Sequence, residues 1–210
     1  SHNIKRKFNI DISKDYILII QHPVTSELDE IKNQFIETIE ALKNIKMQKL
    51  FVFPNNDAGS NKIINLIKKY KFNYCKTLTL KEYKTLLKNS KALVGNSSSG
   101  IHEAATYKIP VINIGTRQEG RTRSLNVVDA KYNRKNILNV LRKALSKKFY
   151  RKLKNLKNPY GDGNSSKKII NLLKKINLKN FNTQKKNYIL ICEKNFIDWI
   201  NRICWKKIKI

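Results

Sequence analysis

Residues 16–21 read Tyr-Ile-Leu-Ile-Ile-Gln, a largely β-branched run with no apolar/polar alternation before its last position. A strand built this way is apolar on both faces, so both faces must be covered, and only the interior of a parallel sheet does that routinely. The pattern recurs at 49–53, 92–94 and 111–114, with weaker versions at 73–78 and 126–128. Between these runs the apolar residues switch to helical spacing: Ile31, Phe35, Ile39 and Leu42 in 28–45, then Ile63, Ile64, Ile67 and Tyr70. Thr79 is placed to cap a helix carrying Tyr83, Leu86 and Leu87; Ile137, Leu138, Leu141 and Leu145 mark another, and one more runs from Ser165 or Ser166 to about Ile176. This alternation predicts an α/β chain: a three-layer, Rossmann-like parallel sheet with helices on both faces.

In such a sheet the loops that follow the strand C-termini open on one crevice, where ligands bind. Four polar loops punctuated by Gly or Pro stand at these places. Residues 95–103, Gly-Asn-Ser-Ser-Ser-Gly-Ile-His-Glu, follow the fourth strand and lead into a helical stretch reaching about Tyr107. A strand, a tight polar turn and a helix start gather free N–H groups and small hydroxyls, a natural seat for phosphate. Glu103 lies a helical turn beyond Ser99, where it suits sugar hydroxyls beside that phosphate. The plainer reading of the same residues is that Asn96 and the serines cap the helix and Gly100 eases close packing.

His22 ends the first strand, and Pro23 fixes the chain direction after it. A histidine there can bond a phosphate or shuttle a proton near neutral pH; it can also be satisfied by backbone. Asn55 suits either a ligand contact or a turn, and Asp57 and Ser60 suit helix capping. Arg117 and Arg121 follow the fifth strand in a chain whose basic residues are otherwise mostly lysine, which favours a role for the bidentate guanidinium over a merely solvated charge.

The net charge of +29 raises nucleic acid as a partner. Lys, Asn and Ile are over-used together, however, and all three draw on A/T-rich codons. The lysines are spread along helix faces with no arginine–aromatic surface, so no specific nucleic-acid binding is expected. No apolar run approaches the roughly 20 residues of a membrane helix. Cys75, Cys192 and Cys204 have neither close pairing nor metal-ligand spacing, which reads as reduced thiols in a cytoplasm; the histidines are equally scattered, so no metal site is expected.

Five segments together carry a family resemblance: HPVTSE at 22–27, PNNDAGS at 54–60, GNSSSGIHEA at 95–104, PVINIGTRQEGR at 110–121 and YGDGN at 160–164. In this order and spacing the chain resembles the hydrolysing UDP-N-acetylglucosamine 2-epimerases, over residues 15–178. The resemblance implies one half of a GT-B fold, the UDP-binding Rossmann-like domain. It implies His22 against the diphosphate and sugar as the catalytic candidate, Asn55 near the nucleotide, Ser97 and Ser98 on phosphate, Glu103 on ribose and Arg117 as a further nucleotide contact. It implies a UDP-sugar as ligand, with no metal and no nicotinamide cofactor. The family's acidic catalytic residues and Gly-rich loop come from an N-terminal domain with no counterpart before Tyr16. The expectation is therefore an incomplete enzyme, inactive alone; Ser1 in place of Met also suggests a piece of something longer.

Residues 1–14 read as a linker or short helix, and 179–210 as a tail without a family counterpart. In that tail 188–192 suits a strand, and Phe196, Trp199, Ile200 and Ile203 give one apolar helical stripe, better suited to packing than to a membrane surface. Two other functions stay open at this stage: the donor-binding half of a GT-B glycosyltransferase, and a non-catalytic nucleotide-sugar-binding fragment. A homo-oligomer stays open too.

Overall fold

The structure, a computed structural model, describes residues 2–176. The expectations for the tail at 179–210, including Cys192 and Cys204, lie outside them. Six strands form one parallel sheet: β1 (Tyr16–Ile20), β2 (Gln48–Val52), β3 (Asn73–Cys75), β4 (Ala92–Gly95), β5 (Val111–Ile114) and β6 (Val127–Ala130). Their spatial order is β3-β2-β1-β4-β5-β6. The chain winds outward from β1 in one direction, then crosses back and winds the other way from β4. Between β1 and β4 the loops therefore diverge, leaving the crevice of a doubly wound sheet.

Period-two alternation sorts the strand side chains into two layers. Ile17, Ile19, Val94, Ile112 and Ile114 face one side with α2 (Ile31–Leu42), α3 (Ser60–Lys69) and α6 (Arg134–Ala144), meeting Phe35, Ile39, Ile63, Ile67, Ile137 and Leu141. Tyr16, Leu18, Ile20, Leu93 and Val111 face the other with α1 (His2–Phe8) and α4 (Leu80–Asn89), meeting Phe8, Leu86 and Leu87. The opening segment is thus helical, and Phe8 and Ile10 are buried in the core. A capping box closes the start of α4: Thr79 accepts from the Glu82 N–H and Glu82 from the Thr79 N–H.

Three expected elements are shorter than the apolar pattern predicts. The third strand ends at Cys75 instead of running to 78. Residues 25–27 form a 3-10 turn, so α2 starts only at Ile31. The helix after the central turn, α5 (Ser98–His102), stops well before Tyr107. Residues 103–108 are turns, with Ile109 N–H returning to the Ala104 carbonyl and Lys108 left-handed at φ 58°. The chain must reverse within a few residues to enter β5, and that reversal overrides the helix propensity of Ala104 and Ala105.

Two glycines allow the close approaches that the turn needs. At Gly95, φ is 132° and a Cβ would lie 2.0 Å from the Ile20 carbonyl oxygen. At Gly100 a Cβ would lie 2.8 Å from Val111 Cγ1, so α5 rests directly on β5.

By compactness the chain divides between Ser165 and Ser166. Beyond α6, the first unit holds α7 (Lys147–Leu153); the second opens with most of α8 (Ser165–Leu173), none of whose residues is buried. No helix among the described residues is long and apolar enough to cross a membrane.

Candidate functional site

β1 and β4 are hydrogen-bonded neighbours, and Ile20 pairs with Gly95 at their C-terminal ends. His22, two residues beyond Ile20, and Asn96, one beyond Gly95, therefore meet at the crevice although 74 positions separate them. The Asn96 side chain accepts from the His22 N–H at 2.7 Å and donates to the His22 carbonyl at 2.9 Å. Both residues are buried, at 7% and 1% exposure. Asn96 is thus neither the helix cap nor a free ligand contact; its amide is spent on the backbone of His22. The cap of α5 is Ser97, whose Oγ accepts from the Ser99 N–H.

The His22 ring is fixed from a second loop. The backbone N–H of Asn55 donates to its Nδ1 at 3.1 Å. In the neutral ring the proton is therefore on Nε2, which remains a donor. Burial pushes the imidazole down to about 4; the Arg117 guanidinium adds to this and Asp57 opposes it. His22 is accordingly neutral at pH 7 in the free chain, a hydrogen-bond donor instead of a group titrating near neutrality.

The loop after β5 completes the circle. Gln118, fully buried, donates from Nε2 to the Asn96 carbonyl at 2.7 Å, and the Arg117 Nη1 lies 3.5 Å from the same oxygen. Arg117 also faces Asp57 loosely, with 3.9 Å between Nη2 and Oδ2. Asp57 is thus an ion-pair partner, and the residue capping α3 is Gly59, with no side-chain cap bond. Ser60 instead donates to the Asn55 carbonyl. Glu27 ties the first loop to the others, accepting from Thr116 and Gln34, each at 2.6 Å. A cleft of about 600 Å³ opens among Thr25, Glu27, Asp57, Thr116, Arg117 and Glu119. A larger one of about 720 Å³ opens at the opposite, N-terminal ends of the strands, beside Asp15, Met47 and Lys91, away from these loops.

Of the expected site residues, hydrogen bonds bring His22, Asn55 and Arg117 together around Asn96, with Ser97 and Ser98 next in the chain. The Ser98 hydroxyl and the Glu103 carboxylate make no hydrogen bond among the described residues. Glu103 follows α5 as its C-cap, exposed, and no bond links it to the His22 cluster. Arg121 lies elsewhere, its Nη1 3.3 Å from His102 Nε2. His102 is braced by the edge-on ring of Tyr160, and its carbonyl by Asn158. Asn96 and Gln118 are two residues whose part in the site the sequence reading missed. For Asn96 one signal exists in sequence: if the first and fourth runs are neighbours, the residues just past their ends must meet. Among the described residues no group of three His, Cys, Asp or Glu side chains is placed to hold a metal.

The arrangement presents a neutral N–H donor, a guanidinium and two serine hydroxyls on one edge, a set suited to an anionic, oxygen-rich ligand. The family model described as UDP-N-acetylglucosamine 2-epimerase matches residues 1–174. The chain is 40% identical over 177 residues to a UDP-N,N'-diacetylbacillosamine 2-epimerase (hydrolyzing) of Legionella pneumophila, covering 82% of this chain and 46% of that protein. It is 31% identical to polysialic acid biosynthesis protein P7 of Escherichia coli, covering 86% and 47%. Among solved structures, the UDP-GlcNAc 2-epimerase of Neisseria meningitidis bound to UDP-GlcNAc superposes with a TM-score of 0.69 at 22% identity, covering 83% and 49%. The S. aureus MnaA–UDP co-structure gives 0.64 at 18%, covering 89% and 51%. The chain spans about half the length of the curated relatives it matches, and its fold corresponds to about half of each solved chain it superposes on. With the family model covering nearly all of the described residues, the chain belongs to the UDP-N-acetylglucosamine 2-epimerase family.

Proposed function

We propose that this chain is the UDP-sugar-binding half of a hydrolysing UDP-N-acetylglucosamine 2-epimerase, which converts UDP-N-acetylglucosamine and water into N-acetylmannosamine, or a related sugar, and UDP. The observation that carries the proposal is the closed set of contacts at the β1–β4 crevice, where Asn96 joins the His22 and Arg117 loops, the Asn55 N–H holds the His22 ring, and Arg117 faces Asp57 of the Asn55 loop. The hydrolysing branch is supported by the HPVT and NSSSG forms of two of those loops, and by the likeness to the hydrolysing 2-epimerase of Legionella.

In this reading the diphosphate lies against Nε2–H of His22, the hydroxyls of Ser97 and Ser98, and the guanidinium of Arg117, with Asn55 beside the nucleotide and Glu103 on the ribose. The reaction breaks the bond from the anomeric carbon to the β-phosphate oxygen while a base takes the proton from C2. The products of that step are UDP and a glucal. Water then adds across the double bond, with C2 reprotonated from the opposite face. Charge grows on the leaving diphosphate, and donors already fixed in place stabilise it without reorganising. Arg117 supplies a full positive charge there, and His22, held neutral, supplies a directed N–H. The acids and bases acting on C2 belong to a second Rossmann-like domain across the cleft.

Calorimetric titration with UDP and with uridine tests this reading. The chain should bind UDP without turning over UDP-N-acetylglucosamine on its own. Ser98→Ala should weaken UDP more than uridine, by about 1 kcal/mol for one neutral hydrogen bond. Glu103→Gln should weaken both ligands alike, because both carry the ribose. Absence of UDP binding at millimolar concentration would overturn the reading, and the reverse mutational pattern would overturn the two assignments.

A further inference from the structure

We infer that Asn96 and Gln118 are positioning residues that act through His22, holding its ring so that Nε2–H is presented to the diphosphate; the inference rests on the reading of this crevice as a UDP site. Asn96 grips His22 by both backbone groups, at 2.7 and 2.9 Å, and is itself nearly sealed from solvent. With the backbone gripped, the ring has little freedom beyond its own torsions, and the Asn55 N–H on Nδ1 selects which nitrogen carries the proton. Gln118 then fixes Asn96 by donating to its carbonyl at 2.7 Å.

Gln118 carries a further sign of this role. Its Oε1 is buried and accepts from nothing among the described residues. A buried amide with one end unpartnered destabilises the fold relative to an apolar side chain of similar size. Its remaining use is the bond from Nε2, and that bond ends on the residue that grips His22. Losing it leaves the Asn96 carbonyl only the Arg117 Nη1, at 3.5 Å. Arg117 would then be drawn inward, away from the ligand. Gln118 thus fixes the His22 clamp and keeps the guanidinium of its neighbour from being drawn further onto that carbonyl.

Gln118→Met separates this role from a merely structural one. A structural residue loses stability when replaced; Gln118→Met removes one orphaned acceptor, Oε1, and takes the good donor from another, the Asn96 carbonyl, so the two effects oppose and thermal stability should change little. UDP affinity should fall about fivefold, the scale of one lost hydrogen bond, with uridine affinity unchanged. The second readout is nitrogen NMR of the histidine rings in the free chain, His22 being assigned with His2→Gln and His102→Gln. Wild type should show a single neutral Nε2–H tautomer at His22, and Gln118→Met a mixture. Asn96→Ala should show the same mixture with a larger loss of UDP affinity. An unchanged tautomer and unchanged UDP affinity in Gln118→Met would overturn the inference, as would an affinity loss that only tracks lost stability. Should wild type fail to bind UDP, the functional reading falls, while the tautomer of the free chain still decides the positioning claim.

Discussion

Holding His22 neutral makes it a useful donor and a liability in acid. Its imidazole titrates near 4 in the fold against about 6.5 when unfolded. As pH falls below 6.5, the unfolded chain takes up the proton first. Stability is therefore full above that value, declines between 6.5 and 4, and has lost this contribution below 4. The whole effect is on the order of 3 kcal/mol at most. Urea unfolding at pH 7.5 and pH 4.5 should show a larger loss for wild type than for His22→Gln; parallel losses would mean that the ring is better solvated than its burial indicates. Residue type and position pointed to His22, Asn55 and Arg117. The same cues made Asp57 a cap and left Gln118 as one more polar loop residue, because Arg117 and Asn96, their partners, lie 60 and 22 positions away.

Among the elements, α4 shows what local sequence determines well. Thr79 and Glu82 satisfy each other's backbone donors, an arrangement needing only four consecutive residues. Thr79→Ala should destabilise the fold by about 1 kcal/mol in chemical denaturation, and leave UDP affinity as it was. A change in UDP binding would place α4 closer to the ligand than the contacts indicate. α5 shows the opposite case. Ala104-Ala105 favours helix, yet the helix ends at His102, because Gly100 must rest on Val111 and the chain must turn back into β5. Five residues carry little macrodipole. In the proposed UDP site the attraction for phosphate therefore falls mainly to the serine hydroxyls, His22 and Arg117, and less to the helix end than the sequence suggests.

For the whole molecule, the layers and the parallel sheet were legible because unbroken apolar runs allow few alternatives. Strand order was not, since neither period nor composition says which run lies beside which. The charge of +29 also finds a local setting. Basic residues close the last turns of α3, α6 and α7, where they meet the negative ends of the helices. Charge used this way is spread over many surfaces. Any DNA binding should accordingly be weak at low salt and fade steeply toward physiological ionic strength in a fluorescence titration. Sequence-selective binding surviving there would make nucleic acid a true partner.

The grip of Asn96 on His22 has one more consequence. A side-chain amide has the same donor and acceptor as a peptide unit, and here it occupies the place where the next rung of the β1–β4 pairing would fall. The sheet is in effect one step longer than its main chain, and the last step is made of a side chain. His22 is therefore registered to the strands themselves, and cannot drift without unzipping them. The serines beyond it are bound by no such register. If the crevice holds a sugar nucleotide as proposed, sequence change can exchange those contacts while the His22 donor stays where the sheet has put it.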